Sequence, residues 1–312
     1  MDWISSLLLA TVRLAIPVLL ISLAELYGQR AGMVNIGLEG LASIGALVGF
    51  LVCYVTGSNW LGLLCGALAG VIVNMIYAFS TVTLCADHTV YGMAVNIFAP
   101  ALASFIYRVY FGTGSDLKQI TTMSSVAIPG LKDIPVLGPL LFDQSPMVYL
   151  TFLLVLFTAI FFGKTRAGLS YKAVGEHPQA ADSVGINVYK MRWAGVLISG
   201  FLGGLGGIVF ITAGVSEWRF EYGVAGFGFL SLAVMIFGQW KPQRIALAAL
   251  LFGFFRALGN VYTGISFLKM LNLPSSLYNM LPYIISLIVL AFTSKSSRAP
   301  KAEGIPYDKG QR

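Results

Sequence analysis

Few residues of this chain combine a reactive side chain with a spacing that catalysis could use. His88 and His177 are its two histidines, too small a supply for zinc or catalytic-triad chemistry. Residues 163–165 (Gly-Lys-Thr) resemble the end of a phosphate-binding loop, but Thr158 stands where that motif has a glycine. The stretch also closes an apolar run instead of following a strand. The sequence therefore predicts that this chain is not an enzyme and binds no metal or cofactor itself.

Polar side chains within apolar stretches are stronger candidates. Glu39 and Asn35 lie in the motif VNIGLEG (34–40), and Asn96 lies in the middle of another apolar stretch. Such groups are costly inside a membrane, so each is a candidate for a transport pathway. Glu39 could instead satisfy exposed amides where its helix begins, since the helix dipole favours negative charge there. Asn96 could instead bridge two helices, and both alternatives stay open.

An acidic and aromatic group lies further along the chain, at Glu217, Trp218, Phe220 and Phe227. Aromatic faces can stack on a nucleobase or a sugar, which would place this group at the mouth of a pathway. Aromatic residues are also common at membrane interfaces, without any role in binding. The sequence leaves both explanations open and makes Glu217, Phe220 and Phe227 candidate pathway residues.

The elements that must position these residues are membrane helices. The chain is 57% hydrophobic and 11% charged, whereas soluble domains carry about 25% charged residues. A membrane-spanning helix needs about 20 mostly apolar residues, and about nine such segments can be counted. The sequence predicts an all-α, polytopic membrane protein with spans near 3–23, 36–55, 60–84, 90–110, 147–162, 193–213, 226–240, 245–262 and 277–292.

Glycines recur at four-residue spacing in two of these segments. Gly62, Gly66 and Gly70 form one series, and Gly200 with Gly204 begins another. Small residues at this spacing let membrane helices pack backbone to backbone. The pattern predicts close helix packing and carries no information about substrate.

Charge placement predicts the topology. The net charge is +7, and the basic residues collect in 164–192, 241–244 and 295–312. Basic segments lie on the cytoplasmic side of membrane proteins, so we interpret this charge as topological and not as a nucleic-acid interface. The prediction is a transmembrane domain, 1–294, with an outward N-terminus, followed by a disordered cytoplasmic tail, 295–312.

A faint internal repeat links two halves of the chain. Tyr27-Gly28 and Tyr222-Gly223 each begin a glycine-rich stretch, an apolar segment, a polar turn and a second apolar segment. The predicted topology gives the two copies opposite directions across the membrane. Inverted repeats with glycine-interrupted helices are typical of transporters, with the pathway between the copies. Chance likeness between two glycine-rich hairpins is the alternative.

The longest polar interval, 166–192, has strong helix punctuation. Pro178 suits the first turn of a helix, Gly185 suits a left-handed cap after it, and Asn187 suits the N-cap of the next helix. An ordinary cytoplasmic loop would not need these signals, although that alternative remains. We interpret the interval as a rigid surface on which a partner docks.

Two stretches carry a family resemblance: AGMVNIGLEGLASIGAL (31–47) and YKAVGEHPQAADSVGINV (171–188). They resemble the permease subunits of bacterial ABC importers for nucleosides, simple sugars and branched-chain amino acids. The variants VNIGLEG and AVGEHPQAA are most similar to the nucleoside branch, which depends on a basic membrane lipoprotein. The resemblance implies a type II ABC importer fold, and it covers almost the whole chain.

The resemblance also implies partners and a docking set. The partners would be a second permease, expected to be a paralogue in a heterodimer, a cytoplasmic ATPase that binds ATP and Mg²⁺, and an extracellular substrate-binding lipoprotein. The chain would lie in the lipid bilayer of the bacterial cytoplasmic membrane. The residues that would couple it to the ATPase are Gly175, Glu176, His177, Pro178, Ala180, Ala181, Asp182 and Gly185.

Two alternatives to nucleoside import remain at this point. Simple sugars or branched-chain amino acids could be the substrate of the same kind of importer. An ion-coupled secondary transporter would use an acidic residue in the membrane, with Glu39 as the main candidate. That class has no use for a docking helix in 166–192.

Overall fold

A computed structural model describes residues 3–112, 118–127, 142–215, 220, 223–261, 280, 281, 283–285, 287 and 298–310. These residues are mostly helical, and their one sheet is a two-residue antiparallel pair, β1 (Val126–Ala127) with β2 (Asp143–Gln144). The helices are α1 (Trp3–Arg30), α2 (Leu38–Thr56), α3 (Asn59–Ala78), α4 (His88–Phe111), α5 (Pro146–Lys164), α6 (Arg166–Glu176), α7 (Pro178–Ser183), α8 (Val188–Phe210), α9 (Phe227–Phe237) and α10 (Pro242–Val261). Short π-helical turns extend α3 (Phe79–Thr83) and α8 (Ile211–Val215).

Helix α1 lies at the centre of the molecule. It packs against α8, α9 and α10 and also contacts α5 and α6. Its side chains from Leu19 to Leu26 are almost completely buried. An apolar helix surrounded by other helices has no polar face to expose. This explains why the chain there is mainly apolar, with Ser22 and Glu25 as its buried polar side chains.

Glycines join α2, α3 and α8 through direct backbone contact. A Cβ atom added to Gly45 of α2 would lie 2.5 Å from the Cα atom of Gly204 in α8. A Cβ atom on Gly70 of α3 would overlap the carbonyl oxygen of Gly200. Only glycine permits such close approach. The backbone packing predicted from the four-residue glycine spacing is therefore confirmed.

Six helices of the described part are long and apolar enough to cross a membrane: α1, α2, α3 with its π-helical turn, α4, α5, and α8 with part of its own. Helix α10 has 20 residues but carries Arg244 and Arg256 and is not among the six. The prediction that 226–240 forms a span is wrong. Helix α9 has 11 residues, about 16 Å at 1.5 Å per residue, against about 30 Å for the hydrocarbon core. The predicted span 277–292 lies mostly outside the described residues.

The predicted disorder of the tail is also wrong for residues 298–310. This segment, which we call the C-terminal strap, forms turns and packs against α6, α7 and α8. Ala302 and Tyr307 are 6% and 5% exposed. The polar composition that suggested disorder did not show that Tyr307 would be buried between helices.

Candidate functional site

The predicted helix that begins at Pro178 and the predicted helix start at Asn187 are both present in the polar interval 166–192, and a further short helix, α6, precedes them. Thr165 caps α6 by accepting a hydrogen bond from Gly168 N at 3.0 Å. Pro178 occupies the first turn of α7, where its missing N–H leaves no intrahelical bond unmade. The side chain of Asn187 accepts from Lys190 N at 2.9 Å and begins α8.

A Schellman motif ends α7 at Gly185. The Gly185 amide donates to the Asp182 carbonyl, and the Ile186 amide donates to the Ala181 carbonyl, both at 3.0 Å. Gly185 has φ +86°, a left-handed conformation that glycine adopts at low cost. Isolated helices of this length are not stable by themselves. In α7, which has six residues, local chemistry fixes both ends.

The predicted docking residues divide into a buried and an exposed set. Gly175, Pro178 and Ala181 are buried, and Glu176 and Asp182 are partly buried. The exposed set is His177, Ala180 and Gly185. The first set holds α6 and α7 on the body of the protein, and the second faces outward. We call the side of the molecule that carries α6 and α7 the coupling face.

Close contacts seat the end of α6 against the end of α1. A Cβ atom on Gly175 would lie 2.5 Å from the Arg30 carbonyl oxygen, so the backbones of α6 and α1 are in direct contact. The Tyr171 hydroxyl donates to the Tyr27 carbonyl at 2.8 Å. Arg30 Nη1 lies 3.9 Å from Glu176 Oε1, and Arg30 Nη2 donates to the Trp240 carbonyl at 2.9 Å. Movement of α6 would thus be passed to α1.

The coupling face is basic around this contact. Partial burial lowers the pKa of Lys172, and the nearby positive charges of Arg30 and Lys241 lower it further. The three side chains create a positive potential on the face that carries α7. Such a potential would favour a partner with acidic groups.

The chain between α1 and α2, residues 31–37, is not helical, although it lies among buried helices. We call it the break. Several of its backbone groups are bonded by side chains of neighbouring helices, since buried backbone groups without such partners are costly. Val34 N donates to His88 Nδ1 at 3.2 Å, and the Val34 carbonyl accepts from the Tyr77 hydroxyl.

Asn35 and Asn96 both hold the break in place. Asn35 Oδ1 accepts from Gly37 N at 3.0 Å, and its Nδ2 donates to Asn74 Oδ1 at 3.1 Å. Asn96 accepts from Gly40 N at 2.9 Å and donates to the Ile36 carbonyl at 2.8 Å. Asn96 therefore bridges α4 to the start of α2, the second of the two roles that its position suggested.

Glu39 joins two helix N-termini. It lies in the first turn of α2, and its carboxylate accepts from Val224 N, Gly226 N and Gly228 N at 2.8, 3.0 and 2.8 Å. These amides begin α9. Helix N-termini carry partial positive charge and unpaired N–H groups, both of which favour a carboxylate. The amide-satisfying role considered for Glu39 is present, but all three of these amides belong to the other half of the chain.

The two helices that meet at this carboxylate run in opposite directions. Helix α2 leads from Glu39 away from the coupling face, towards Thr56. Helix α9 runs from Phe227 to Phe237 and is followed by Trp240, whose Nε1 donates to Gln29 Oε1 at 2.6 Å near the end of α1. We call the meeting point, Glu39 with residues 223–228, the Glu39 junction. It places the two glycine-rich stretches of the suggested repeat directly against each other.

The aromatic candidates are placed in two locations. Phe227 starts α9 beside the Glu39 junction, and its ring packs on Phe210 at 4.8 Å between centroids. Phe220 is fully buried and packs on Phe50 and Tyr107, with centroids 6.0 and 5.9 Å away. The structure thus brings Asn35, Glu39, Asn96 and Phe227 into one region and places Phe220 in a separate aromatic cluster. Glu217 lies outside the described residues.

Sequence reasoning missed Gln29 and Arg192, two buried polar side chains near the coupling face. Gln29 Nε2 donates to Glu25 Oε1 at 2.6 Å within α1, and Arg192 is 1% exposed at the start of α8. The spacing of Glu25 and Gln29, four residues apart at the end of an apolar helix, was the available signal for the first pair. Arg192 carried no such signal, because it looked like the last residue of an exposed basic interval.

Comparison with known proteins gives a consistent family. Residues 7–290 match the family described as branched-chain amino acid transport system / permease component. The nucleoside ABC transporter permease protein NupC of Lactococcus lactis is 40% identical over 95% of this chain and 94% of its own length. The guanosine ABC transporter permease protein NupQ of Bacillus subtilis is 39% identical over 97% of this chain and 96% of its own length.

A second Lactococcus lactis relative is more distant. The nucleoside ABC transporter permease protein NupB is 24% identical over 76% of this chain and 67% of its own length. One organism therefore has two nucleoside permeases that both resemble this chain. With its membrane-capable helices and its match over residues 7–290, this chain belongs to the branched-chain amino acid transport system / permease component family.

Proposed function

We propose that this chain is the membrane-spanning permease subunit of an ATP-driven importer that takes up nucleosides. In this proposal an extracellular binding lipoprotein delivers the nucleoside, and a separate cytoplasmic ATPase, which binds ATP and Mg²⁺, supplies the energy. The chain lies in the bacterial cytoplasmic membrane with the coupling face inward. The nucleoside assignment is supported by the two relatives that match nearly the whole chain.

The observation that carries the coupling part of this proposal is the construction of α7. Its ends are fixed by Pro178 and by the Schellman motif at Gly185, and its outer side leaves Ala180 exposed. A short helix with fixed ends can transmit a push without unfolding. Closure of the ATPase would move α7, and the contact of Gly175 with Arg30 would pass that motion to α1.

The pathway would lie beside the break and the Glu39 junction. Motion of α1 reaches both, because the break follows α1 directly and α9 packs along it. We propose that Asn35, Glu39, Asn96 and Phe227 form the wall or gate of a central cavity, as non-helical backbone in transporters lines such cavities. Phe220, and Glu217 outside the described part, would support the outer end.

The partner permease is proposed to be a paralogue. Lactococcus lactis has both NupC and NupB, which is the arrangement expected if two different permeases share one cavity. Simple sugars and branched-chain amino acids are the alternative cargoes of the same machine. An ion-coupled transporter is less well supported, because three backbone amides already occupy the Glu39 carboxylate.

A bulky substitution on the exposed side of α7 tests the coupling proposal. Ala180→Trp should reduce co-purification of the ATPase and uptake of labelled guanosine, each about tenfold, as loss of a central interface contact does. Thr56→Trp is the matched control. Thr56 is exposed at the end of α2 that lies away from the coupling face, so this variant should leave ATPase binding unchanged. Equal ATPase binding by both variants would contradict docking on α7.

Competition for uptake tests the substrate class. Unlabelled guanosine, adenosine or uridine should compete with the labelled nucleoside, whereas ribose and leucine should not. Competition by ribose alone would move the assignment to sugars. This experiment uses the assembled importer, since the binding lipoprotein is expected to supply the selectivity.

A further inference from the structure

The C-terminal strap, residues 298–310, makes ordered contacts with two parts of the molecule that the transport proposal links. One part is the coupling interval, α6 and α7. The other is the turn at Gly32, where the break begins. No role of the strap followed from the sequence, which suggested a disordered tail there.

Backbone hydrogen bonds attach the strap to both parts within three residues. Ala302 N donates to the Gly175 carbonyl at the end of α6 at 2.9 Å, and Gly304 N donates to the Gly32 carbonyl at 3.0 Å. Gly304 has φ +74°, which turns the chain directly after the second attachment. The strap is thus bonded at once to the coupling interval and to the break.

A buried aromatic anchor holds the far end of the strap. Tyr307 is 5% exposed and forms a small apolar cluster with Val174 of α6, Ala181 of α7 and Val188 of α8. Its carbonyl accepts from the Tyr189 hydroxyl at 3.3 Å. Lys309 Nζ, beyond the anchor, lies 3.5 Å from Asp182 Oδ1 of α7. The Tyr307 side chain therefore shares one buried cluster with a residue of α6, of α7 and of α8.

Arg192 connects this anchor to the break. The guanidinium of this buried residue donates from Nη1 to the Ile305 carbonyl at 3.0 Å and lies 6.0 Å from the centroid of the Tyr307 ring. A Cβ atom on Gly32 would lie 3.3 Å from Arg192 Nη2. A cation near an aromatic face is stabilised most when both groups are withdrawn from water. The strap, Arg192 and the Gly32 turn therefore pack as one unit.

We propose that the C-terminal strap is a positioning element for energy coupling, which fixes α7 relative to the break so that displacement of the coupling interval moves the break. This inference rests on the proposed function and adds to it a second connection beside the Gly175–Arg30 contact. The strap is not a docking site in this proposal. Its loss leaves a permease that still binds its ATPase but uses ATP hydrolysis inefficiently.

The test compares transport with ATP hydrolysis in the complete importer, reconstituted in proteoliposomes. Tyr307→Ala should lower guanosine uptake per ATP hydrolysed about tenfold, whereas ATPase co-purification should change less than about twofold. Tyr307→Phe keeps the buried ring and should restore coupling. Ile305→Ala is the matched control, since that side chain is 55% exposed and the substitution keeps the carbonyl that Arg192 binds.

A second measurement does not depend on substrate or ATPase. Hydrogen exchange of the purified permease should show faster exchange at residues 178–183 in Tyr307→Ala than in Tyr307→Phe or Ile305→Ala. Deletion of residues 298–312 should give the same acceleration if Tyr307→Ala alone expresses poorly. These results would support the proposal that the strap holds α7 in place, even if the importer carried a cargo other than nucleosides.

Two results would overturn the proposal. One is an unchanged ratio of uptake to hydrolysis in Tyr307→Ala and in the deletion. The other is a loss of uptake that only follows lost ATPase binding, since the strap would then serve assembly and not coupling. Failure of the wild-type importer to take up any nucleoside would refute the proposed substrate. The exchange measurement would still show whether the strap holds α7 in place.

Discussion

The Glu39 junction and the coupling-face contacts both join distant parts of the chain, but they are built differently. At the junction, one carboxylate accepts three backbone hydrogen bonds of 2.8 to 3.0 Å in a buried site. At the coupling face, the Arg30–Glu176 pair is 3.9 Å apart, and the Glu176 side chain is 40% exposed. Buried charge-assisted bonds are strong, and exposed ion pairs contribute little.

The difference separates two mechanical tasks. The junction holds two half-helices together inside the protein, where an unpaired amide has no water to bond. The coupling face relies on backbone contact at Gly175 and on apolar anchors, with weak charge pairs around them. The weak charge pairs can rearrange during a transport cycle at low cost, whereas the carboxylate–amide bonds of the junction resist displacement.

The largest expected effect is at the junction. Glu39→Ala leaves two buried amides and one partly buried amide without an acceptor, which should destabilise the protein by about 3–5 kcal/mol, as breaking a buried charged network does. Thermal unfolding in detergent and the yield of folded protein measure this loss. Glu39→Gln keeps an acceptor oxygen and should lose less than half as much. Equal stability of Glu39→Ala and wild type would contradict the claim that the junction is held more strongly than the coupling-face contacts.

The next effect concerns the backbone contact at the coupling face. Gly175→Ala would place a Cβ atom 2.5 Å from the Arg30 carbonyl oxygen, and overpacking of this kind costs about 1–3 kcal/mol. We expect lower uptake per ATP hydrolysed, because α6 must move away from α1. Gly163→Ala is the matched control, since a Cβ atom there meets nothing within 4 Å. Normal coupling in Gly175→Ala would show that this contact does not transmit motion.

A pH-dependent change is expected in the C-terminal strap. Burial raises the pKa of Glu303 to about 7, against the opposing effect of Arg30. Between the ordinary pKa of 4.5 and about 7, the docked strap holds a proton that a released strap has lost. Docking should therefore be fully stable below pH 4.5 and should weaken as pH rises towards 7.

Hydrogen exchange of residues 298–310, corrected for its intrinsic pH dependence, measures this change. Glu303→Gln has no titrating carboxyl and should give a flat profile over the same range. A wild-type profile that is equally flat would show that Glu303 is not buried against Arg30 in solution.

The smallest effect is expected for the Arg30–Glu176 ion pair, whose two side chains are 13% and 40% exposed. Glu176→Ala should change unfolding free energy by less than about 1 kcal/mol, the usual contribution of a surface pair. Arg30→Ala should cost more, because Arg30 also donates to the Trp240 carbonyl. A double-mutant cycle of these two residues measures the pair itself. A coupling energy as large as the Glu39 effect would contradict the contrast between the two regions.

Local chemistry decided which parts could be predicted from the sequence. Pro178, Gly185 and Asn187 act on their own backbone neighbours, so α7 and the start of α8 were predictable from residue type and spacing. The four-residue glycine series was predictable for the same reason, since it depends on one face of one helix. The apolar run at 226–240 suggested a full membrane span. Hydropathy alone does not show that the helix in this run begins inside the protein, at the Glu39 junction.

Long-range contacts explain the remaining errors. The sequence marked Glu39 as a carboxylate at a helix start but could not show that its partners lie at 224–228. Tyr307 looked like part of a polar tail, because its burial depends on Val174, Ala181 and Val188 being brought together first. Arg192 was missed for the same reason. None of these contacts leaves a periodic signal in the chain.

The Glu39 junction also has a consequence for how the protein is made. Glu39 and its first amide partner, Val224, are 185 residues apart in the chain. At about 5–20 residues per second, a ribosome needs about 10 to 40 s to synthesise the intervening chain. During that interval α2 is in the nascent protein with a carboxylate that lacks its final partners. We therefore expect the first half of the chain to stay incompletely packed or only partly inserted in the membrane until the ribosome has synthesised α9.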